Sequence, residues 1–215
     1  MVVLLWSVKE KLLFLLILDY TMLREFNTEN NDQFIKGWFI DENVCDNLVS
    51  YFENNEEKHP GLVNTKQGLV VNHDFKKSTD ISISTYCQDE PFISYMQELS
   101  LVVVEYKKLF PSLDKLSMWA IKENVNIQKY LPNEGFFVWH SERSSSHVSE
   151  RLLVFTTYLN DVQDEGETEW LHQNLKIKPQ KGLTVISPVD WMYEHRGVTS
   201  PTETKYIATG WMSYV

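Results

Sequence analysis

The chain has 215 residues, enough for one domain or one domain with an appendage. Its 43% hydrophobic and 23% charged content, with only 8 Gly and 7 Pro, excludes collagen-like, low-complexity and wholly disordered readings. Thirty acidic residues against 20 basic ones give a net charge of −10, which repels phosphate backbones and anionic lipid surfaces and argues against nucleic acid or stable membrane partners.

Met1 to Leu18 is apolar, but Lys9, Glu10 and Lys11 interrupt it and leave only Leu12 to Leu18 unbroken. Those charges are costly in hydrocarbon, and no small-x-small cleavage pattern follows in Asp19-Tyr20-Thr21-Met22. Residues 1–21 therefore read as a helical appendage or as an upstream extension of a chain starting at Met22, and residues 22–215 as a single domain. Cys45 and Cys87 are too few for a disulfide framework, which suits a reducing, cytoplasmic setting.

From Phe34 to Glu53 the pattern predicts a short strand and then a helix with Asp41 as N-cap and Val44, Leu48, Val49 and Phe52 at helical spacing. Asn54 to Gly68 reads as a loop. Asp80-Ile81-Ser82-Ile83-Ser84 alternates as a half-buried strand does, and a second helix is expected from about Glu90 to Phe110, stopped by Pro111. Helical support thus occupies about 22–115. Beyond it, short β-rich runs at Val125 to Leu131, Phe136 to Trp139, Leu152 to Leu159, Leu183 to Ser187 and Tyr206 to Trp211 are separated by turns. With no β-helix-β alternation, the fold class is mostly β with N-terminal helices (α+β), an antiparallel sandwich or barrel over about 116–215. Trp119, Trp139, Trp170, Trp191 and Trp211 are expected chiefly to fill its core, with some lining a cleft.

His140-Ser141-Glu142 is the first feature able to carry chemistry, because residues i and i+2 of a strand share a face and can bind one ion together. With six histidines and 30 acidic residues in the chain, about one such pair arises by chance, so a third ligand is needed. His195, on a turn expected after the strand Leu183 to Ser187, is the best-placed candidate. Two imidazoles and a carboxylate on one face of an ion leave other positions open, as suits non-haem Fe(II). The same trio also suits hydrolytic zinc, and a hydrogen-bonded core histidine at His140 needs no metal at all.

The second half resembles the 2-oxoglutarate and Fe(II)-dependent oxygenases, in particular the prolyl 4-hydroxylase-like group and its compact bacteriophage relatives. The resemblance runs through Tyr130, Gly135, His140-Ser141-Glu142, Tyr158-Leu159-Asn160-Asp161-Val162, Gly166-Glu167-Thr168, Lys181-Gly182, His195-Arg196-Gly197, Lys205 and Thr209-Gly210-Trp211. The family's Gly-Gly-x-Thr turn stands here as Glu165-Gly166-Glu167-Thr168. It implies a double-stranded β-helix (jelly-roll) core in which His140, Glu142 and His195 are catalytic metal ligands for Fe(II). Lys205 and Tyr130 would bind the co-substrate 2-oxoglutarate, with ascorbate as an accessory. The implied reaction hydroxylates a C–H bond with O₂, releasing succinate and CO₂. A prolyl residue in a polypeptide is the leading substrate, with a small molecule still open, and a phage-encoded chain would act in the host cell cytoplasm. Trp139, Trp191, Tyr193 and Arg196 are expected in the cleft wall, and Arg143 to Glu150 as a loop covering it. The competing reading is a catalytically inactive jelly-roll module that binds a peptide or carbohydrate.

Overall fold

The computed structural model describes residues 23–27, 34–65 and 68–215; the expectation for residues 1–21 lies outside them. In chain order the described elements begin with β1 (Arg24–Phe26), β2 (Lys36–Phe39), helix α1 (Glu42–Asn54), β3 (His59–Pro60), β4 (Val63–Thr65), β5 (Gly68–Val70) and β6 (Thr79–Ile83). Helix α2 (Glu90–Leu109) is followed by β7 (Trp119–Ile121), β8 (Val125–Tyr130), β9 (Arg151–Tyr158), β10 (Thr168–Trp170), β11 (Leu175–Ile177), β12 (Leu183–Pro188), β13 (His195–Gly197) and β14 (Lys205–Tyr214).

Both helices start and stop for local reasons. The Asp41 carboxylate accepts from the Asn43 backbone N–H, capping α1, whose Cys45, Leu48 and Phe52 form the buried stripe. In α2, Pro91 occupies the first turn, where its missing N–H costs nothing, and Pro111 follows the last turn. The segment Asn54 to Gly68 is less loop-like than expected, since it carries β3 and most of the β4–β5 hairpin. Pro60 sits on an edge strand, where a missing donor is tolerated.

The strands form a jelly-roll core. One nine-stranded antiparallel sheet has the order β1-β2-β12-β9-β14-β8-β6-β3, with β7 also on β14, and a smaller sheet has the order β11-β10-β13. The early strands are thus not separate from the β core: β2 pairs with β12, and β6 with β8.

Alternation along the central strands gives the large sheet two different faces. Ile81, Ile83, Val125, Ile127, Leu153, Phe155, Ile186, Ala208 and Met212 face α1 and α2 and join the main apolar core. The intervening residues of the same strands, including Asp80, Gln128, Tyr130, Thr156, Lys205, Thr209 and Trp211, line a cavity on the other face. A second apolar cluster of Tyr158, Trp170, Leu175, Ile177, Leu183 and Val185 joins strands of the two sheets, and its Trp170 and Val185 also line the cavity. Trp119 and Trp170 are core residues, each 4% exposed, as expected.

Two turns carry backbone conformations that their residues must tolerate. Gly182 has φ +84°, and a Cβ there would lie 2.7 Å from the Ile40 carbonyl oxygen, so glycine is required where β12 begins. Glu165, by contrast, holds φ +59° with a full side chain. That conformation costs roughly 1 kcal/mol for a non-glycine residue. Glu165→Gly is therefore expected to raise the stability of the protein by about 0.5–1 kcal/mol, read as a shift of the chemical denaturation midpoint at unchanged slope.

Candidate active site

His140 and His195 are brought together by the backbone. His140 N–H donates to the His195 carbonyl (3.0 Å) and His195 N–H donates back to the His140 carbonyl (2.9 Å), an isolated antiparallel bridge. His195 lies on β13, not on a turn, whereas Phe136 to Trp139 is not the expected strand. Phe136 and His140 each make a single bridge, to Lys76 and His195, and Glu142 sits in the turn beyond. The shared face of His140 and Glu142 therefore comes from chain direction and not from a continuous pleat.

The ring tautomers follow from the partners. A carbonyl oxygen can only accept, so Nδ1 of His140 donates to Val138 O (3.0 Å) and Nδ1 of His195 to Tyr193 O (3.0 Å). Both Nε2 atoms are left as lone-pair donors for an ion. They face one oxygen of Glu142, whose Oε1 lies 3.4 Å from His195 Nε2 and 3.7 Å from His140 Nε2. One ligand atom from each of the three side chains lies within 4.8 Å of the other two, close enough to hold one metal ion. Phe136 stacks on His140 at 3.7 Å between ring centres, and Trp170 lies 5.8 Å from His195, so both imidazoles are braced by aromatic faces.

The electrostatics suit a cation. Burial pushes the Glu142 carboxyl upward, but hydrogen bonds and charge from His140 and His195 outweigh it and hold the group well below the usual carboxylate range. His195 is raised against the effect of burial by Glu142 in turn. The carboxylate is thus held in the ionised form that a metal ion requires.

Deeper in the same cavity lies Lys205, 5% exposed. Its ammonium donates to Gly166 O (2.7 Å) and to Val198 O (3.3 Å), with no carboxylate in ion-pair distance among the described residues. The Gly166-Glu167-Thr168 turn therefore buttresses Lys205 from below, while Thr168 accepts from the Tyr158 hydroxyl (2.7 Å). Tyr130, the direct cross-strand partner of Lys205, presents its ring 5.3 Å from that nitrogen. Its hydroxyl donates to Gln128 Oε1 (2.7 Å), away from the ammonium.

Sequence reading missed a second charged group on this wall. Lys76 and Asp80 form a buried ion pair (2.6 Å), Ser78 donates to Asp80 (2.7 Å), and Gln128 donates to the same carboxylate (3.4 Å). Of the two buried lysines in the cavity, Lys76 is neutralised and Lys205 is not. Arg151 was also missed, and Trp211, read as a core or cleft tryptophan within the Thr209-Gly210-Trp211 motif, was not expected to contact Glu142 as both do.

The expected cleft wall holds in part. Trp139 lines the cavity. Trp191 is 69% exposed, Tyr193 packs on the second core, and Arg196 is drawn over the Trp139 ring and paired with Glu169 (3.0 Å). From the 143–150 loop, Ser144 and Val148 border the cavity, while Arg143 is forked onto both oxygens of Asp190 (2.6 and 2.7 Å). The cavity measures about 580 Å³.

Residues 125–213 match the family model of the 2OG-Fe(II) oxygenase superfamily. That segment carries the sequence pattern of a 2OG-Fe(II) oxygenase domain. The match and the metal-binding trio within it are those of a 2-oxoglutarate-dependent dioxygenase that uses Fe(II) and 2-oxoglutarate. The fold is shared with a viral collagen prolyl hydroxylase from Paramecium bursaria Chlorella virus-1, solved with 2OG, at TM-score 0.63 and 16% identity over 87% of this chain and 99% of that one. A Pseudomonas putida prolyl-4-hydroxylase is similar at TM-score 0.64 and 15% identity, over 83% and 92% of the two chains. A Trichoplax adhaerens prolyl hydroxylase, in complex with a hypoxia inducible factor oxygen degradation domain peptide fragment, follows at 0.62 and 14%, over 85% and 84%. No curated protein matches the oxygenase by sequence. Among its described residues, no helix is long and apolar enough to cross a membrane.

Burial draws Lys205 down to about 8, slightly offset by the Glu167 charge, whereas its unfolded value is near 10.5. The folded oxygenase thus binds this proton less tightly than the unfolded chain does. The stability contributed is fullest above the unfolded value and is lost as pH falls through about 8. The thermal midpoint of Lys205→Met relative to the parent is accordingly expected to be most favourable near pH 7 and to decline as pH approaches about 10, measured by paired melts across that range.

Proposed function

We propose that His140 Nε2, Glu142 Oε1 and His195 Nε2 hold Fe(II), that Lys205 binds the distal carboxylate of 2-oxoglutarate, and that the enzyme hydroxylates a prolyl residue of a polypeptide. The carrying observation is the pairing of a preformed two-imidazole, one-carboxylate cluster with a buried ammonium that, among the described residues, has no carboxylate in ion-pair distance in the same cavity. A dicarboxylate spanning the two gives Lys205 its missing charge in a dry site, where that attraction is stronger than at the surface. On this reading Tyr130 supplies the ring face beside that carboxylate, and residues 22–215 act as one oxygenase unit.

Iron and 2-oxoglutarate, once bound, supply the oxidant that hydroxylates a C–H bond with O₂, leaving succinate and CO₂. The side chains contribute orientation and exclusion of water. The Nδ1–carbonyl bonds keep both Nε2 atoms turned inward, Phe136 and Trp170 prevent ring rotation, and Val154, Val185 and Ile207 keep the cavity wall apolar.

A polypeptide substrate is supported by the fold shared with prolyl hydroxylases and by the apolar part of the cavity lining. Leu62, Val63, Leu69 and Phe75 line the same cavity, an apolar surface beyond what a small dicarboxylate requires. Leu69 and Phe75 are 68% and 43% exposed there.

Anaerobic addition of Fe(II) and 2-oxoglutarate is expected to give the weak visible charge-transfer band of an iron–keto acid chelate. Glu142→Ala should abolish it, and Lys205→Met should raise the 2-oxoglutarate concentration required by roughly a hundredfold. In air, a proline-containing peptide should gain the mass of one oxygen. A wild-type protein without the band would refute the iron site, and peptides of every type unchanged in mass would refute the prolyl substrate.

A further inference from the structure

The two oxygens of Glu142 have different surroundings. Oε1 faces the imidazoles, whereas Oε2 accepts from the Trp211 indole N–H at 2.9 Å and lies 3.5 Å from Arg151 Nη1. Arg151 also donates to the Glu142 backbone carbonyl (3.1 Å), so it grips the residue at both ends. Its guanidinium lies flat over the Trp211 ring, 3.5 Å from the centroid, and its far side is forked onto Glu123 (2.9 and 2.5 Å). Trp211 and Arg151 stand on the adjacent strands β14 and β9, whereas Glu142 stands in a turn with no ladder to steady it.

We propose that Trp211 and Arg151 are positioning residues that fix Glu142 as a one-oxygen ligand, in place before any ion arrives. The inference rests on the iron-site reading above and extends it to how the carboxylate is held. A glutamate arm has one more rotatable bond than an aspartate arm, and each added torsion lets a carboxylate swing from one-oxygen to two-oxygen binding. The indole nitrogen is a donor only, so it holds Oε2 without competing for the metal. The stacked guanidinium prevents the indole from turning away, and Glu123 prevents the guanidinium from following. With Oε2 engaged, the carboxylate occupies a single coordination position and leaves the others to the keto acid and O₂.

Trp211→Phe keeps an aromatic ring beside Arg151 and removes the N–H together with the five-membered ring that carries it. Co(II) serves as the probe because it reports geometry through its visible bands and is not turned over by air. Titrated anaerobically by calorimetry and absorption, wild type should bind one Co(II) per chain. Trp211→Phe is expected to bind it about tenfold to a hundredfold more weakly. Its visible bands should also weaken, as the released carboxylate chelates with both oxygens and raises the coordination number. A merely structural role for Trp211 would lower the unfolding midpoint without changing those bands. In a Glu142→Asp background, where the shorter arm no longer reaches the indole, the same Trp211→Phe change should cost little further affinity. If Trp211→Phe folds poorly, Arg151→Gln, which spares the indole, is expected to weaken Co(II) binding in the same direction by a smaller factor. Wild-type affinity and unchanged bands in the folded Trp211→Phe protein, or in Arg151→Gln where that substitutes for it, overturn the positioning role while the iron site stands. Failure of the wild type itself to bind Co(II) removes the iron-site reading and this inference with it.

Discussion

The structure depends on the two-residue period of five neighbouring strands. In β6, β8, β9, β12 and β14 one set of side chains is apolar and packs under the two helices, while the other set looks into the cavity. The first set supplies the burial that holds the fold, and the second is thereby free to carry polar groups that no core could accept unaided. A slip of one residue in any of these strands would exchange the two sets and turn lysine and aspartate toward Phe92, Tyr95 and Leu99. The apolar layer therefore specifies the register, and the register places the chemistry.

Against that rigid wall the three candidate ligands arrive from outside the large sheet. His140 and Glu142 belong to a stretch with almost no ladder, and His195 to a three-residue strand of the small sheet. Their convergence relies on local devices: a reciprocal backbone bridge, two imidazole–carbonyl bonds, and aromatic faces on either side. The large sheet's part is to meet this cluster with Trp211 and Arg151.

Much of this was legible in the sequence, for identifiable reasons. Helix α1 announced itself through Asp41 and the Leu48–Phe52 stripe, and α2 through its stop at Pro111. Of the longer strands, β6 showed its period of two in Asp80 to Ser84, and β8, β9, β12 and β14 stood out as β-rich runs of five residues or more bounded by turns. Strands of three residues or fewer, among them β3, β10, β11 and β13, present too little pattern, and the apolar run Phe136 to Trp139 imitated a strand that the backbone does not form. At the site, motif order located His140, Glu142, His195 and Lys205. It was silent on Lys76 and Asp80, because a polar residue alternating with isoleucines reads as facing solvent when its face in fact closes on a cavity. Arg151, and the contact that Trp211 makes with Glu142, were hidden for a related reason: both depend on what stands opposite, which is set by register.

The fork between Arg143 and Asp190 has one more implication. Arg143 follows Glu142 directly, Asp190 lies five residues before His195, and the Arg143 amide also donates to the Val189 carbonyl (3.1 Å). With the His140–His195 bridge at the other end, the two stretches bearing the imidazoles and the carboxylate close into a small ring. Chain length outside that ring is decoupled from geometry inside it. Insertions or deletions in the exposed turns between Ser144 and Pro188 can therefore reshape the entrance while the spacing of the three donors stays as it is, which gives this scaffold room to change what it admits without rebuilding what it does.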